Sequence, residues 1–193
     1  MTRMIDLSCD LGEARNDVER STERSIWPLI GAANVACGGH VGDHATMGEA
    51  IELCLAHGVT LGAHPSYPDR EGFGRIPMDM RGEDLLIALS SQLSSLQDLA
   101  AERGLALERV KPHGALYNEA HHDARLASTI VRATRDVTPE AAIVCAAGSR
   151  LEEVAVAEGC AVIREAFADR RYRTDGSLVS RYEANALLLD FDG

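Results

Sequence analysis

VKPHGALYN, residues 110–118, runs from a short apolar stretch straight into a lysine, a proline and a histidine. Its lysine is singular: every other one of the nineteen basic residues in the 193-residue chain is arginine. Arginine is a permanently charged fork, whereas lysine is a compact ammonium whose proton affinity responds to burial, so a site needing a point charge cannot substitute one for the other. Lys111 and His113 therefore mark the end of an expected strand as a chemical position. The same arrangement recurs along the chain, and that recurrence decides the fold.

Strands are expected at about 4–9, 34–37, 59–63, 109–111, 142–146 and 161–165, from short apolar or β-branched runs bounded by Gly and Pro. Helices are expected between them at 22–30, 43–56, 82–103, 122–136 and 149–158, three of them closed by a following glycine. In the longest, Leu85, Leu86, Leu89, Leu93, Leu96, Leu99 and Ala100 recur at helical spacing, which marks a face packed on a sheet. The unit is βα repeated, which implies a parallel sheet.

Chemistry-bearing residues follow five of the six strands. Asp10 and Glu13 follow the first, His40 and Asp43 the second, and His64 the third. Lys111 and His113 end the fourth, and Glu165, Asp169 and Arg170 end or follow the sixth. An open doubly wound sheet concentrates ligand groups at one switch point, but a barrel gathers them from many strand ends onto one rim. The expected architecture is a parallel β/α barrel of the TIM type with about six strands, in one domain spanning 1–193. Six strands would leave edges where a barrel should close, an opening for assembly into a homo-oligomer.

Composition narrows the partners. A formal net charge of −11 argues against a nucleic-acid backbone or an anionic membrane, both of which need a basic face. No apolar run approaches the roughly 18 residues of a membrane span, and the first residues carry no leader pattern. Five widely spaced cysteines without a C-x-x-C read as reduced thiols in a cytoplasmic protein.

The rim of Lys, His, Asp, Glu and Arg suits general acid–base chemistry on a small carboxylate-bearing molecule. Asp10, His40 and His64 are candidate ligands for a divalent metal, and His40 and His44 are spaced to share a helix face. His57, His121 and His122 sit in helix-end or loop positions where solvated roles are expected. The chain has no G-x-x-x-x-G-K-[ST], G-x-S-x-G or H-E-x-x-H.

Five stretches in order, IDLSCDLGE, ANVACGGHVGD, GAHPSYPDREGFGR, VKPHGALYN and EAFADRRYRTDGSLVSR, resemble the LamB/YcsF family over residues 4 to about 187. The resemblance implies a β/α barrel related to polysaccharide deacetylases, working as one component of an ATP-dependent 5-oxoprolinase with two further subunits. That enzyme opens the lactam of 5-oxo-L-proline to L-glutamate. ATP would be used by the complex, and this chain, which lacks a P-loop, would carry out the hydrolytic step.

Carried over residue by residue, the resemblance implies catalytic roles for Asp10, Glu13, His64, Lys111 and His113. It implies substrate binding by His40, Asp43, Glu165, Asp169 and Arg170. Departures are ARNDVE at 14–19, Gly39 and His44. The family continues beyond the equivalent of residue 193 into a Cys-x-His-Gly-Asp motif, so a C-terminally short domain is expected. Two alternatives stand beside the oxoprolinase reading: a metal-dependent deacetylase or amidohydrolase, and a non-catalytic binding or assembly subunit.

Overall fold

The structure, a computed structural model, describes residues 5–80 and 82–188. Six strands form one sheet: β1 Ser8–Leu11, β2 Ala32–Ala36, β3 Thr60–His64, β4 Arg109–Val110, β5 Ala142–Ala146 and β6 Val162–Glu165. All pairs are parallel and the spatial order is the chain order, β1 to β6. An order that never reverses has no switch point, which is the winding of a barrel rather than of a doubly wound sheet.

The sheet curls. In a flat sheet, five strand spacings of ~4.8 Å would hold β1 and β6 about 24 Å apart. Yet Asp10 of β1 and Glu165 of β6 both reach Lys111 Nζ, at 2.9 and 3.0 Å. The expected six-stranded β/α barrel is thus present as a curled half-barrel; among the described residues β1 pairs only with β2, and β6 only with β5.

Helices α1 Asp17–Ile26, α2 His44–His57, α3 Glu83–Ala101, α4 Gly114–Ala120, α5 Ala124–Val137 and α6 Arg150–Ala157 fill the connections. The leucine stripe of α3 is buried as expected, each side chain contributing ~1.5–3 kcal/mol. α2 begins at a capping box on Asp43 and ends at Gly58 in the left-handed region, so both its ends are set by local chemistry. No described helix is long and apolar enough to cross a membrane.

Three elements depart from the sequence reading. The first strand starts at Ser8, later than expected, because its ladder opens where Ser8 meets Ala32; residue 4 lies outside the described residues. α1 starts five residues early, where the Asn16 side chain accepts from Glu19 N, and a 3₁₀ turn at Trp27–Leu29 follows it around Pro28. That helix buries no residue, so apolar periodicity could not locate it. α4 is seven residues long, too short for a periodic signal, and was not expected.

Candidate active site

Strand ends deliver the site. Lys111, just past β4, is buried, and its ammonium touches both Asp10 oxygens at 2.9 and 3.1 Å and Glu165 Oε2 at 3.0 Å. The Phe167 ring lies 4.7 Å from the same nitrogen. Burial opposes the charge on Lys111, but Asp10 and Glu165 outweigh it and raise the lysine pKa. Burial likewise opposes the Asp10 carboxylate, and His64 and Lys111 overcome it, holding the group well below the usual carboxylate range. Both shifts favour the ion pair, with Lys111 protonated and Asp10 ionised.

Beside this pair lie three imidazoles and one carboxylate. His40 and His113 stack with centroids 3.7 Å apart and planes within 3°, and His64 stands edge-on to both. His40 Nε2 is 2.8 Å from Glu13 Oε1 and His40 Nδ1 is 3.0 Å from Ser66 Oγ. Burial lowers the His40 pKa, which favours the neutral ring donating its Nε2–H to Glu13.

The other two rings are pinned by main-chain carbonyls. A carbonyl only accepts, so His64 Nδ1–H donates to Lys111 O at 2.7 Å, and His113 Nε2–H donates to Phe73 O at 2.9 Å. Their remaining nitrogens, His64 Nε2 and His113 Nδ1, face each other at 2.9 Å. Burial, with the neighbouring His64 and His40, drives the His113 pKa down to about 2. For His64, burial is outweighed by Asp10, and its pKa rises.

The loop that supplies Phe73 O is itself strained. Phe73 has φ +56°, a left-handed conformation that costs a non-glycine residue of order 1–3 kcal/mol. Gly74, at φ +64°, has no room for a side chain: a Cβ would stand 2.9 Å from His40 Cβ and 3.0 Å from His113 Cδ2. Gly74 O then accepts from Ala115 N at 2.9 Å, which fastens the loop to the start of α4.

Asp10, Glu13, His40, His64, Lys111, His113 and Glu165 therefore meet, as the strand-end pattern anticipated. Asp43 does not join them. It is exposed, and its carboxylate accepts from Ala45 N and Thr46 N as the α2 cap, because the chain turns into the helix before that side chain can reach the rim. Asp169 is exposed in the loop after β6. Arg170 is buried there, donating from Nη2 to Val179 O at 2.7 Å.

The histidine readings change as well. His44 is exposed at the first position of α2 and shares no ligand face with His40. His121 is buried, not solvated, while His57 and His122 are exposed. The group of described residues whose donor atoms converge as metal ligands would is Glu13, His64 and His113, rather than the expected Asp10, His40 and His64.

Sequence reasoning missed the supporting residues. Asn34, fully buried on β2, donates to Asp10 Oδ1 at 2.8 Å. Glu23 on α1 accepts from Gly12 N and Glu13 N, at 3.1 and 2.9 Å, and so orients the Glu13 loop. Gln92 on α3 clamps Ser66, accepting from its N at 3.0 Å and donating to its O at 2.9 Å. A lone glutamine inside a leucine face was the one available signal for this clamp. Tyr117, on α4 at the Phe167 side, borders a cavity of about 450 Å³ with Leu126, Arg173 and Leu178.

The LamB/YcsF family profile matches residues 5–193. A 5-oxoprolinase subunit of Tolumonas auensis is 44% identical over 184 residues, which cover 95% of this chain and 73% of that protein. Its counterpart in Staphylococcus aureus, also named as a 5-oxoprolinase subunit, is 43% identical over 188 residues, covering 97% and 75%. A crystal structure of the lactam utilization protein from Thermus thermophilus superposes with a TM-score of 0.87 at 36% identity, covering 97% of this chain and 76% of that one.

Proposed function

Because the chain belongs to the LamB/YcsF family, we propose that it acts in a 5-oxoprolinase and performs the hydrolytic opening of the lactam of 5-oxo-L-proline to L-glutamate. The observation that carries this reading is the buried Lys111 ammonium held between Asp10 and Glu165, beside the Glu13 and histidine cluster. Relatives named as subunits of a 5-oxoprolinase support it.

A lactam carbonyl is a poor electrophile, and this chain has no P-loop to use ATP. In this reading two partner subunits activate the carbonyl by phosphorylation from ATP, and this chain adds water to the activated carbon. The C–N bond breaks, the water oxygen stays on carbon, a proton passes to the ring nitrogen as it becomes an amine, and a second water releases the phosphoryl group from the new carboxyl as inorganic phosphate, leaving L-glutamate. A carboxylate, Asp10 or Glu13, takes and returns that proton beside His64 or His113. Lys111 supplies the positive charge for oxygen that becomes anionic, a role worth ~3 kcal/mol at the barrier for one such donor. Arg170, Glu165 and His40 fall to substrate binding and alignment.

The test is glutamate release from 5-oxo-L-proline by this chain mixed with both partner subunits and ATP. Release that stops when this chain is omitted or replaced by folded Lys111→Ala supports the role, and unchanged release from that variant refutes it. A second reading, hydrolysis of an amide without partners, is favoured by the convergence of Glu13, His64 and His113. Turnover by the isolated chain without ATP would establish it instead.

A further inference from the structure

Two nitrogens with lone pairs directed at one another cannot stay 2.9 Å apart without something positive between them. Neither ring can relieve the clash by changing tautomer, because each has its other N–H committed to a main-chain carbonyl, Lys111 O for His64 and Phe73 O for His113. The occupant of that gap is a cation, and the choice lies between a shared proton and a metal ion.

Third donors decide. A proton between two imidazoles needs no further ligand, yet Glu13 Oε1 converges on the same point, 3.4 Å from His113 Nδ1 and 3.9 Å from His64 Nε2. Atoms bound to one tetrahedral ion at ~2.0–2.1 Å stand about 3.3 Å apart, and the three separations bracket that value. The carbonyl partners also match the outer shell of a metal-bound histidine, whose free N–H is nearly always held by a carbonyl or carboxylate. Formal charge points the same way: among the described residues Asp10 and Glu165 pair with the Lys111 ammonium, while Glu13 adds a third carboxylate that faces only the imidazoles.

We infer that Glu13 Oε1, His64 Nε2 and His113 Nδ1 form a site for one divalent transition-metal ion of the zinc class. Two imidazoles and a carboxylate suit zinc or its neighbours, and three protein ligands leave a position open to water or substrate. Such an ion supplies Lewis acidity where the carboxylates and imidazoles converge. The site stands whichever amide the pocket takes, since metal binding is read without turnover.

The experiment is dialysis of the full chain against Zn²⁺ and, separately, Co²⁺, followed by elemental analysis and, for Co²⁺, visible absorption. One equivalent per chain is expected, with the intense d–d bands of a four- or five-coordinate ion. Glu13→Gln and His113→Ala, each checked for fold by circular dichroism, should weaken binding by more than the ~10–100-fold that loss of an outer partner costs. Glu13→Gln keeps the side-chain volume and serves if His113→Ala does not fold. His44→Ala and His122→Ala, at exposed positions, should retain the metal. Substoichiometric binding overturns the inference. So does metal that survives Glu13→Gln but leaves with His122→Ala, or an imidazole N–H···N proton that persists by ¹⁵N NMR in excess Zn²⁺, which would put a shared proton in the gap.

Discussion

Lys111 Nζ lies 2.9 Å from Asp10 Oδ1, although 101 positions of sequence separate the two residues. The contact joins the end of β4 to the end of β1, and with Glu165 on the same nitrogen it ties the rim of the half-barrel together. A lysine suits the position because a compact ammonium fits between two carboxylates and against Phe167, where a planar guanidinium would have to displace one of them.

Lys111→Met should therefore lower turnover in the reconstituted complex by hundreds-fold, in line with the loss of ~3 kcal/mol of charge stabilisation. Lys111→Arg should fail to restore it. Steady-state rates of the three proteins, with circular dichroism to confirm folding, decide this; full rescue by arginine would mean that any positive charge suffices.

Gly74→Ala places a methyl against the stacked His40 and His113 at a backbone angle that disfavours L side chains. The expected loss is about 1–3 kcal/mol of stability, seen in urea denaturation, together with a fall in turnover beyond the loss of folded protein. Wild-type activity would show that the stacked geometry is not needed.

Gln92→Met keeps volume but leaves Ser66 N and O without their partner in a buried setting. Each unsatisfied group costs ~1–3 kcal/mol, so the urea midpoint should fall clearly. Gln92→Glu should recover part of the loss by accepting from Ser66 N. Equal midpoints for Gln92→Met and wild type would remove the clamp from the account.

Asp43→Ala should cost ~1 kcal/mol of stability, and Asp43→Ser much less, because the carboxylate caps α2. Turnover should track the folded fraction. A raised KM at unchanged stability would return Asp43 to the substrate-binding set.

Burial drives the Cys54 thiol up to about 12. In the unfolded chain the thiol ionises near ~8.5, so from there to about pH 12 the unfolded state holds fewer protons than the native one and stability falls as pH rises. The decline in urea midpoint between about pH 8 and 10.5 should be shallower in Cys54→Ala than in wild type. Native Cys54 should also resist iodoacetamide at about pH 8, which mass spectrometry of the labelled peptides would check.

Sequence alone determined the βα repeat, the parallel winding and the placement of Asp10, His64, Lys111 and His113 at strand ends. Those features follow from patterns spanning a few residues: apolar runs, glycine stops, and side chains just past the last paired position. The leucine face of α3 was legible for the same reason, whereas α1 buries nothing, so the expectation of a helix at 22–30 starts five residues late, and α4 has seven residues, too few for a period.

Tertiary structure decided which atoms meet. The curl of the sheet brings Asp10 and Glu165 onto one ammonium, and the Lys111 and Phe73 carbonyls turn His64 and His113 until their free nitrogens face each other beside Glu13. It also made Asn34, Ser66 and Gln92 part of the support, whereas Asp43 caps α2 through contacts two and three residues away. Ring orientation and hydrogen-bond partnership depend on side chains far apart in the chain and on the curvature they share, and no local pattern records either.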